Sequence, residues 1–277
     1  MVRIVTDSST LITAEEAKEM GIDMIPLCVS IGDMEGRDLQ VDMDDFYSRI
    51  DKKEVPRSSQ PPIGDVVDVY EKYSEDEIIN ISMADGLSGT YQTACSAKEI
   101  VENGENVTVV NSKTLCGPHR YMVEKAQEMK LAGKSAKEIL DWLHHIIEKT
   151  ESFLIPQDFS FLRRGGRLTP MAAAFGGVLK LKPIMTLTED CKRLDKYAIK
   201  RTLSASVSAV IERMKAFGVN ENHIVYVTHA NVIEDAKKVV AQIKEAFANV
   251  EIKLSQLSPV FVTQGGPGCI AIQYIER

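Results

Sequence analysis

The chain has 277 residues, 44% of them apolar, and a formal net charge of −7 at pH 7. That supports one large domain or two modest ones, and the acidic balance argues against nucleic acid, which needs a basic face on its partner. No apolar run reaches the roughly 18–20 residues of a membrane span.

The first half alternates strand and helix. "VRIVTD" reads as a short apolar strand that opens the chain without signal-peptide architecture. "TAEEAKEM" follows as a helix, with Thr13 and Glu16 spaced as a capping box and Gly21 to end it. "IDMIPLCVSI" reads as a second strand. "DMDDFYSRI" and "PPIGDVVDVYEKY" read as helices, the first acidic in its first turn and the second started by proline. The strand Ile78 to Met83, a glycine turn, and a helix opened by Ser88, Gly89 and Thr90 come next. "VTVVNS" and a helix around "HRYMVEKAQEMKLA" complete this half, so βαβ units and a parallel sheet are expected.

"SAKEILDWLHHIIEKT" is a helix capped by Ser135 with Glu138 three residues on. After it the texture changes, and a soft boundary falls near residues 150–160. "FSFLRRGGRLT" is basic and broken by glycine, and "PMAAAFGGVL" is rich in small residues. Two strands joined at "EDC" follow. Then come the helix "LSASVSAVIERMKAFG", the strand "HIVYVTHA", the helix "VIEDAKKVVAQIKEAFA" and two closing strands. This half reads as a mixed sheet with helices packed on it. The five cysteines are scattered and never form C-x-x-C, as in a reducing compartment. A soluble, cytoplasmic protein is expected.

Five stretches are candidates for chemistry. At Ser88 a strand, a turn and a helix start leave backbone N–H groups and a positive dipole end facing outward, which suits an anion. Ser88 and Thr90 would add hydroxyls. A helix cap, a ligand clamp and a nucleophile all remain open there. The hydrolase elbow G-x-S-x-G needs glycine where Thr90 stands. Ser58, Ser59 and Gln60 precede the proline-started helix, where capping is the plain alternative. Asp7 to Thr10 sit at the carboxyl end of the first strand, where ligands bind in parallel sheets and where Asx-type turns also form. "LRRGGRL" groups Arg163, Arg164 and Arg167 around two glycines, as a phosphate or acidic-partner site or as a solvated turn. The glycines of "VTQGGPGCIAI" call for close backbone approach to something. His229 ends a strand and is a catalytic or a structural residue, and His144 and His145 face different sides of their helix. Neither a nucleotide motif nor metal-ligand spacing occurs.

In this order, "VTDSST", "SSQPP", "GLSGTYQTA", "LRRGGRL", "KLKPI", "KRT" and "TQGGPG" resemble the DegV family over essentially the whole chain. The resemblance implies a two-domain α/β fold. A three-layer parallel-sheet domain would span 1–155, a mixed-sheet domain 156–277, and a site for one long-chain fatty acid the cleft between them. It also implies a non-catalytic acyl-binding subunit that presents its carboxylate to a separate kinase for acyl-phosphate formation; a monomer without cofactor or metal is expected. The hydroxyls that hold the carboxylate fall on Ser58 and Ser88, with Ser59 and Thr90 beside them. Ser58 stands where the family often has threonine. A head-group arginine falls on Arg201. The histidine of the family's G-T-H-T-G-P-G falls on Gln264, with Val262 and Gly265 also departing from that pattern. Glutamine donates and accepts hydrogen bonds but does not titrate, so lipid transport or sensing without a kinase is a second reading, and a Ser88-dependent hydrolase a third. Small residues suit a tunnel wall, which puts Ala173, Phe175, Gly176 and Leu179 at the acyl tail. The arginines of "LRRGGR" are placed at a partner surface. Some fourteen buried methylenes would contribute about 11 kcal/mol before entropy, so the tail sets affinity and the head sets orientation.

Overall fold

The computed structural model describes residues 1–174 and 181–277, which form two compact units, Met1–Glu148 and Lys149–Arg277. The first unit runs β1 (Val2–Asp7), α1 (Ala14–Met20), β2 (Asp23–Ile25), β3 (Cys28–Ile31), β4 (Met34–Arg37), α2 (Met43–Asp51) and β5 (Arg57–Ser59). It continues with α3 (Ile63–Lys72), β6 (Glu77–Ser82), α4 (Thr90–Ile100), β7 (Val107–Asn111), α5 (Cys116–Leu131) and α6 (Ala136–Ile146). Strands β2-β1-β6-β7 form the expected parallel sheet. Buried on both faces, its central strands carry apolar runs rather than alternation. Val66 and Tyr70 of α3 and Ala94 and Ala97 of α4 pack on Val5, Ile78 and Val107 of the sheet.

The helix signals hold at atomic detail. Glu16 N–H donates to Thr13 Oγ1 at 3.2 Å, and Thr13 N–H returns a bond to Glu16 Oε2 at 2.8 Å. Gly21 closes α1 in the left-handed region, with φ 71°. Ser135 and Glu138 form the same reciprocal box ahead of α6.

The stretch expected as one strand, "IDMIPLCVSI", is two. Pro26 has no N–H to donate and breaks the ladder, so β2 ends on the parallel sheet while β3 starts a separate antiparallel sheet of order β4-β3-β5.

The second unit runs β8 (Thr150–Ile155), α7 (Phe159–Gly165), α8 (Pro170–Ala174), β9 (Lys182–Leu187), β10 (Leu194–Lys200) and α9 (Leu203–Phe217). It ends with β11 (His223–His229), α10 (Ile233–Ala246), β12 (Glu251–Gln256), α11 (Pro259–Gly265) and β13 (Ile270–Glu276). Among the described residues its sheet is mixed, in the order β10-β9-β8-β13-β11-β12, with β11 and β12 parallel and the other pairs antiparallel. The units divide at 148/149 rather than 155/156, because β8 hydrogen-bonds to β13 and β9. Val207, Val210 and Met214 of α9 and Val239 and Ile243 of α10 cover this sheet. Helix α11, started by Pro259 in its first turn, lies where no element was expected.

Candidate functional site

Strand β5 carries Ser58 opposite Val29 and Ser59 opposite Cys28 on β3. Ser58 is half-buried and Ser59 exposed. The residue at the start of α3 is Pro62, so neither Ser58 nor Ser59 is its cap residue. Ser58 and Ser59 are strand residues.

The second group is the turn from β6 into α4. Asp85 and Ser88 are bridged, and Gly86 sits at φ 90°, a conformation that costs glycine little. Gly89 is the cap residue of α4, so Ser88 stands one position outside the helix. Its Oγ lies 2.8 Å from Thr90 Oγ1 and accepts the Thr90 N–H at 3.3 Å. Thr90 is buried and Ser88 half-buried. The serine therefore gives the helix start one weak bond and keeps its hydroxyl at the edge of an 11-residue helix N-terminus.

The two groups meet through Gln60. A Cβ built on Gly89 would lie 2.9 Å from Gln60 Oε1 and 3.0 Å from its Cδ. The Gln60 amide lies against the bare Cα of Gly89, so the strand bearing Ser58 and the helix start bearing Ser88 are packed together. Glycine at 89 permits this approach. The sequence shows Gln60 next to Ser59, but nothing in it shows that the amide reaches Gly89.

Among the described residues no histidine is hydrogen-bonded to Ser88. His119, which sequence reasoning passed over, is fully buried: its Nε2 lies 2.9 Å from Ile81 O and its Nδ1 lies 2.9 Å from Ser9 Oγ. A carbonyl only accepts, so Nε2 carries the proton and Nδ1 accepts from the serine. Burial pushes its pKa below the ordinary range and keeps the ring neutral. His229 Nδ1 accepts the Val232 N–H at 3.3 Å and is likewise held neutral by burial, so it closes the turn after β11.

In the second unit the glycines of "TQGGPG" have a definite reason. A Cβ on Gly266 would sit 2.9 Å from the Phe161 ring, and one on Gly265 would sit 2.7 Å from Cys269 Sγ. What they let in is the Phe161 ring of α7 and the Cys269 thiol, and the expectation of close approach is met by side-chain packing. Burial pushes the Cys269 thiol up to about 12, which leaves it inert. Gln264 is half-buried in the last turn of α11, and a methyl on Gly165, at the end of α7, would overlap its Oε1.

"LRRGGRL" is thus not a simple surface turn: α7 includes its first half, and Gly166 ends the helix at φ 70°. Arg163 and Arg164 are exposed, and the Arg164 guanidinium lies 4.4 Å from the Phe161 ring centre. Arg167 is half-buried and donates to Gly165 O, and desolvation pushes its pKa down. Arg201 is exposed in the turn between β10 and α9, next to Thr202, whose Oγ1 accepts the Ala205 N–H at 3.1 Å and caps α9. Ala173 packs on the cluster of Leu162, Leu168, Ala172 and Met185, while Phe175, Gly176 and Leu179 lie outside the described residues. Among the described residues there is no group of three His, Cys, Asp or Glu placed to hold a metal, and no helix is long and apolar enough to cross a membrane.

Residues 1–277 match the family model described as "Uncharacterised protein, DegV family". A DegV domain-containing protein of Staphylococcus aureus is 33% identical over 279 residues, covering 99% of this chain and 98% of that one. One from Halalkalibacterium halodurans is 30% identical, covering 100% and 99%. Among solved structures, that of DegV from Bacillus subtilis, described as a fatty acid binding protein, is 29% identical with TM-score 0.86, covering 100% of this chain and 99% of that one. A DegV lipid binding protein from Thermotoga maritima, at 25% identity and TM-score 0.86, has the same coverage. With the family model and these relatives agreeing from end to end, the chain belongs to the DegV family.

Proposed function

We propose that this protein binds one long-chain fatty acid, fixes its carboxylate with the hydroxyls of Ser58 and Ser88, and presents it to a separate kinase. Ser59 and Thr90 stand beside these two hydroxyls, and Gln264 and Arg201 are further head-group donors. The acyl tail runs past Ala173, which packs on Leu162, Leu168, Ala172 and Met185. The observation that carries this reading is the packing of Gln60 on Gly89, which joins two hydroxyl-bearing segments at a helix N-terminus. A buried carboxylate needs several donors, and each charge-assisted bond contributes about 1.5–3 kcal/mol. The solved relatives described as fatty-acid- or lipid-binding support the choice of ligand.

The protein contributes no chemical step of its own. In the kinase reaction a carboxylate oxygen attacks the γ-phosphorus of ATP, the bond to ADP breaks, and an acyl phosphate remains. Arg163, Arg164 and Arg167 are the surface proposed for docking the kinase. Mass spectrometry of the denatured protein should release a long-chain fatty acid near one per chain. Lipid-free protein that also fails to take up palmitate or oleate refutes the reading.

Gln264 favours a second reading, transport or sensing without a kinase, because it does not titrate. Reconstitution with a cognate kinase and ATP separates the two. Acyl phosphate supports presentation, and bound lipid without acyl phosphate supports carriage alone.

A further inference from the structure

The turn that follows β1 is the most completely buried polar segment of the first unit: Asp7 is 2% exposed, and Ser8, Ser9 and Thr10 are 0% exposed. The function proposed above uses none of these residues. We infer that Asp7 and Ser8 are positioning residues that fix the Ser58 and Ser88 hydroxyls relative to each other. This rests on the carboxylate-binding reading and deepens it.

The hydrogen bonds run to two places. The Asp7 carboxylate accepts the Ser9 N–H at 2.9 Å through one oxygen and the Met83 N–H at 2.9 Å through the other. Met83 is the first residue beyond β6, at the head of the turn that leads to Ser88. Two more bonds pin that turn, from Ala84 N–H to Thr114 O at 2.9 Å and from Asp85 N–H to Asn111 Oδ1 at 3.2 Å.

Ser8 reaches the other way. Its Oγ donates to Asp38 Oδ2 at 2.8 Å and accepts the Leu27 N–H at 3.1 Å. The Asp38 N–H donates to Leu27 O at 2.8 Å and closes the base of the β3–β4 hairpin. Strand β3 of that hairpin pairs with β5, which carries Ser58. Among the described residues no strand of the small sheet pairs with the parallel sheet. The dipeptide Asp7–Ser8 therefore ties both segments to one strand end.

Two hydroxyls gripping one carboxylate have little tolerance, since a binding constellation must be held within about 0.5 Å. A looser clamp loses its preference for the carboxylate head but keeps its grip on the tail. In Ser8→Ala the donor to Asp38 and the acceptor for Leu27 N–H both vanish. In Asp7→Asn an NH₂ replaces one oxygen and faces an N–H donor.

The test compares two ligands of equal chain length, palmitate and hexadecanol, by calorimetry on delipidated full-length protein. Wild type must prefer palmitate. If it does not, the carboxylate-binding reading itself fails. Given that preference, Ser8→Ala should weaken palmitate about tenfold or more, while hexadecanol changes less than about twofold. Asp7→Asn reads the same ratio should Ser8→Ala not fold. Ser9→Ala is the control: it removes the bond to His119 from the same buried turn but touches neither anchored segment. It should lower the melting temperature and leave the ligand ratio unchanged. The inference is overturned if Ser8→Ala or Asp7→Asn keeps the full palmitate preference. Equal weakening of both ligands, or a shift of the ratio in Ser9→Ala as well, overturns it too.

Discussion

Replacing Ser88 with alanine separates its two roles. The hydroxyl accepts one helix-start N–H at 3.3 Å, and Gly89 rather than Ser88 is the cap residue. A long bond at a half-buried position should contribute about 0.5–1 kcal/mol to folding. For a chain of this size that lowers the melting temperature of the lipid-free protein by about 1–4 °C. A charge-assisted bond to a bound carboxylate is larger, about 1.5–3 kcal/mol, or roughly 10- to 150-fold in affinity. At a palmitate concentration well above the dissociation constant, ligand stabilisation shrinks by the same amount. A thermal melt with and without palmitate reads both quantities on one sample. The palmitate-induced rise should shrink by more than the lipid-free midpoint falls. A full-sized rise on a lowered baseline would refute the reasoning and leave Ser88 as a helix-start residue alone.

Gly165→Ala should displace the Gln264 side chain, because the new methyl overlaps Oε1, and the flexible end of that side chain gives way at little cost in stability. Urea titration reads that cost, and calorimetry with palmitate reads whether the head group feels position 264. Gly266→Ala meets both the Phe161 ring at 2.9 Å and a φ of 78°, so its urea midpoint should fall further than that of Gly133→Ala, where φ is 80° and nothing lies within 4 Å. Burial holds His119, His223 and His229 below the ordinary value near 6.5. As pH falls below 6.5 the unfolded chain takes up protons that the folded chain refuses. Stability intact above pH 6.5 should therefore decline below it, by up to about 1.4 kcal/mol per pH unit for each histidine. A urea midpoint that is flat or rising from pH 7.5 to 5.5 contradicts this. Gln264→His should leave acyl-phosphate production by a cognate kinase unchanged if position 264 only supplies a hydrogen bond. A large gain with lipid affinity unchanged would favour carriage as the native role.

Local chemistry was legible in the sequence. The Thr13–Glu16 and Ser135–Glu138 boxes and the strand–helix alternation that gives the parallel sheet are signals within a few residues of each other, and the structure contains them all. What the sequence hid was long-range. The assignment of β8 to the second sheet depends on β13, more than a hundred residues later. The serines ahead of α3 carry the composition of a helix cap, but pairing with β3 makes them strand residues. His119 sits in "GPHRYM" with no spacing pattern, and its partner Ser9 is 110 positions away. The GG pair of "TQGGPG" announced close approach, but only the fold identifies Phe161 as what is approached.

That last contact bears on the choice between presenting and carrying a lipid. Gln264 packs on Gly165, and Gly166 of the same segment turns α7 off after Arg163 and Arg164. The proposed head-group residue and the proposed docking arginines are thus on two helices that meet where the Gln264 side chain lies against Gly165. Packed elements of this kind shift together rather than bend independently. A partner that moves α7 on binding those arginines would move the backbone against which the Gln264 side chain rests. With glutamine at 264 the proposed docking surface and the proposed head-group residue remain in contact. Glutamine lacks only the charge that a titratable histidine there would deliver. A presenting role therefore needs the chemistry of phosphoryl transfer to come wholly from the kinase, with Gln264 orienting the carboxylate through its amide.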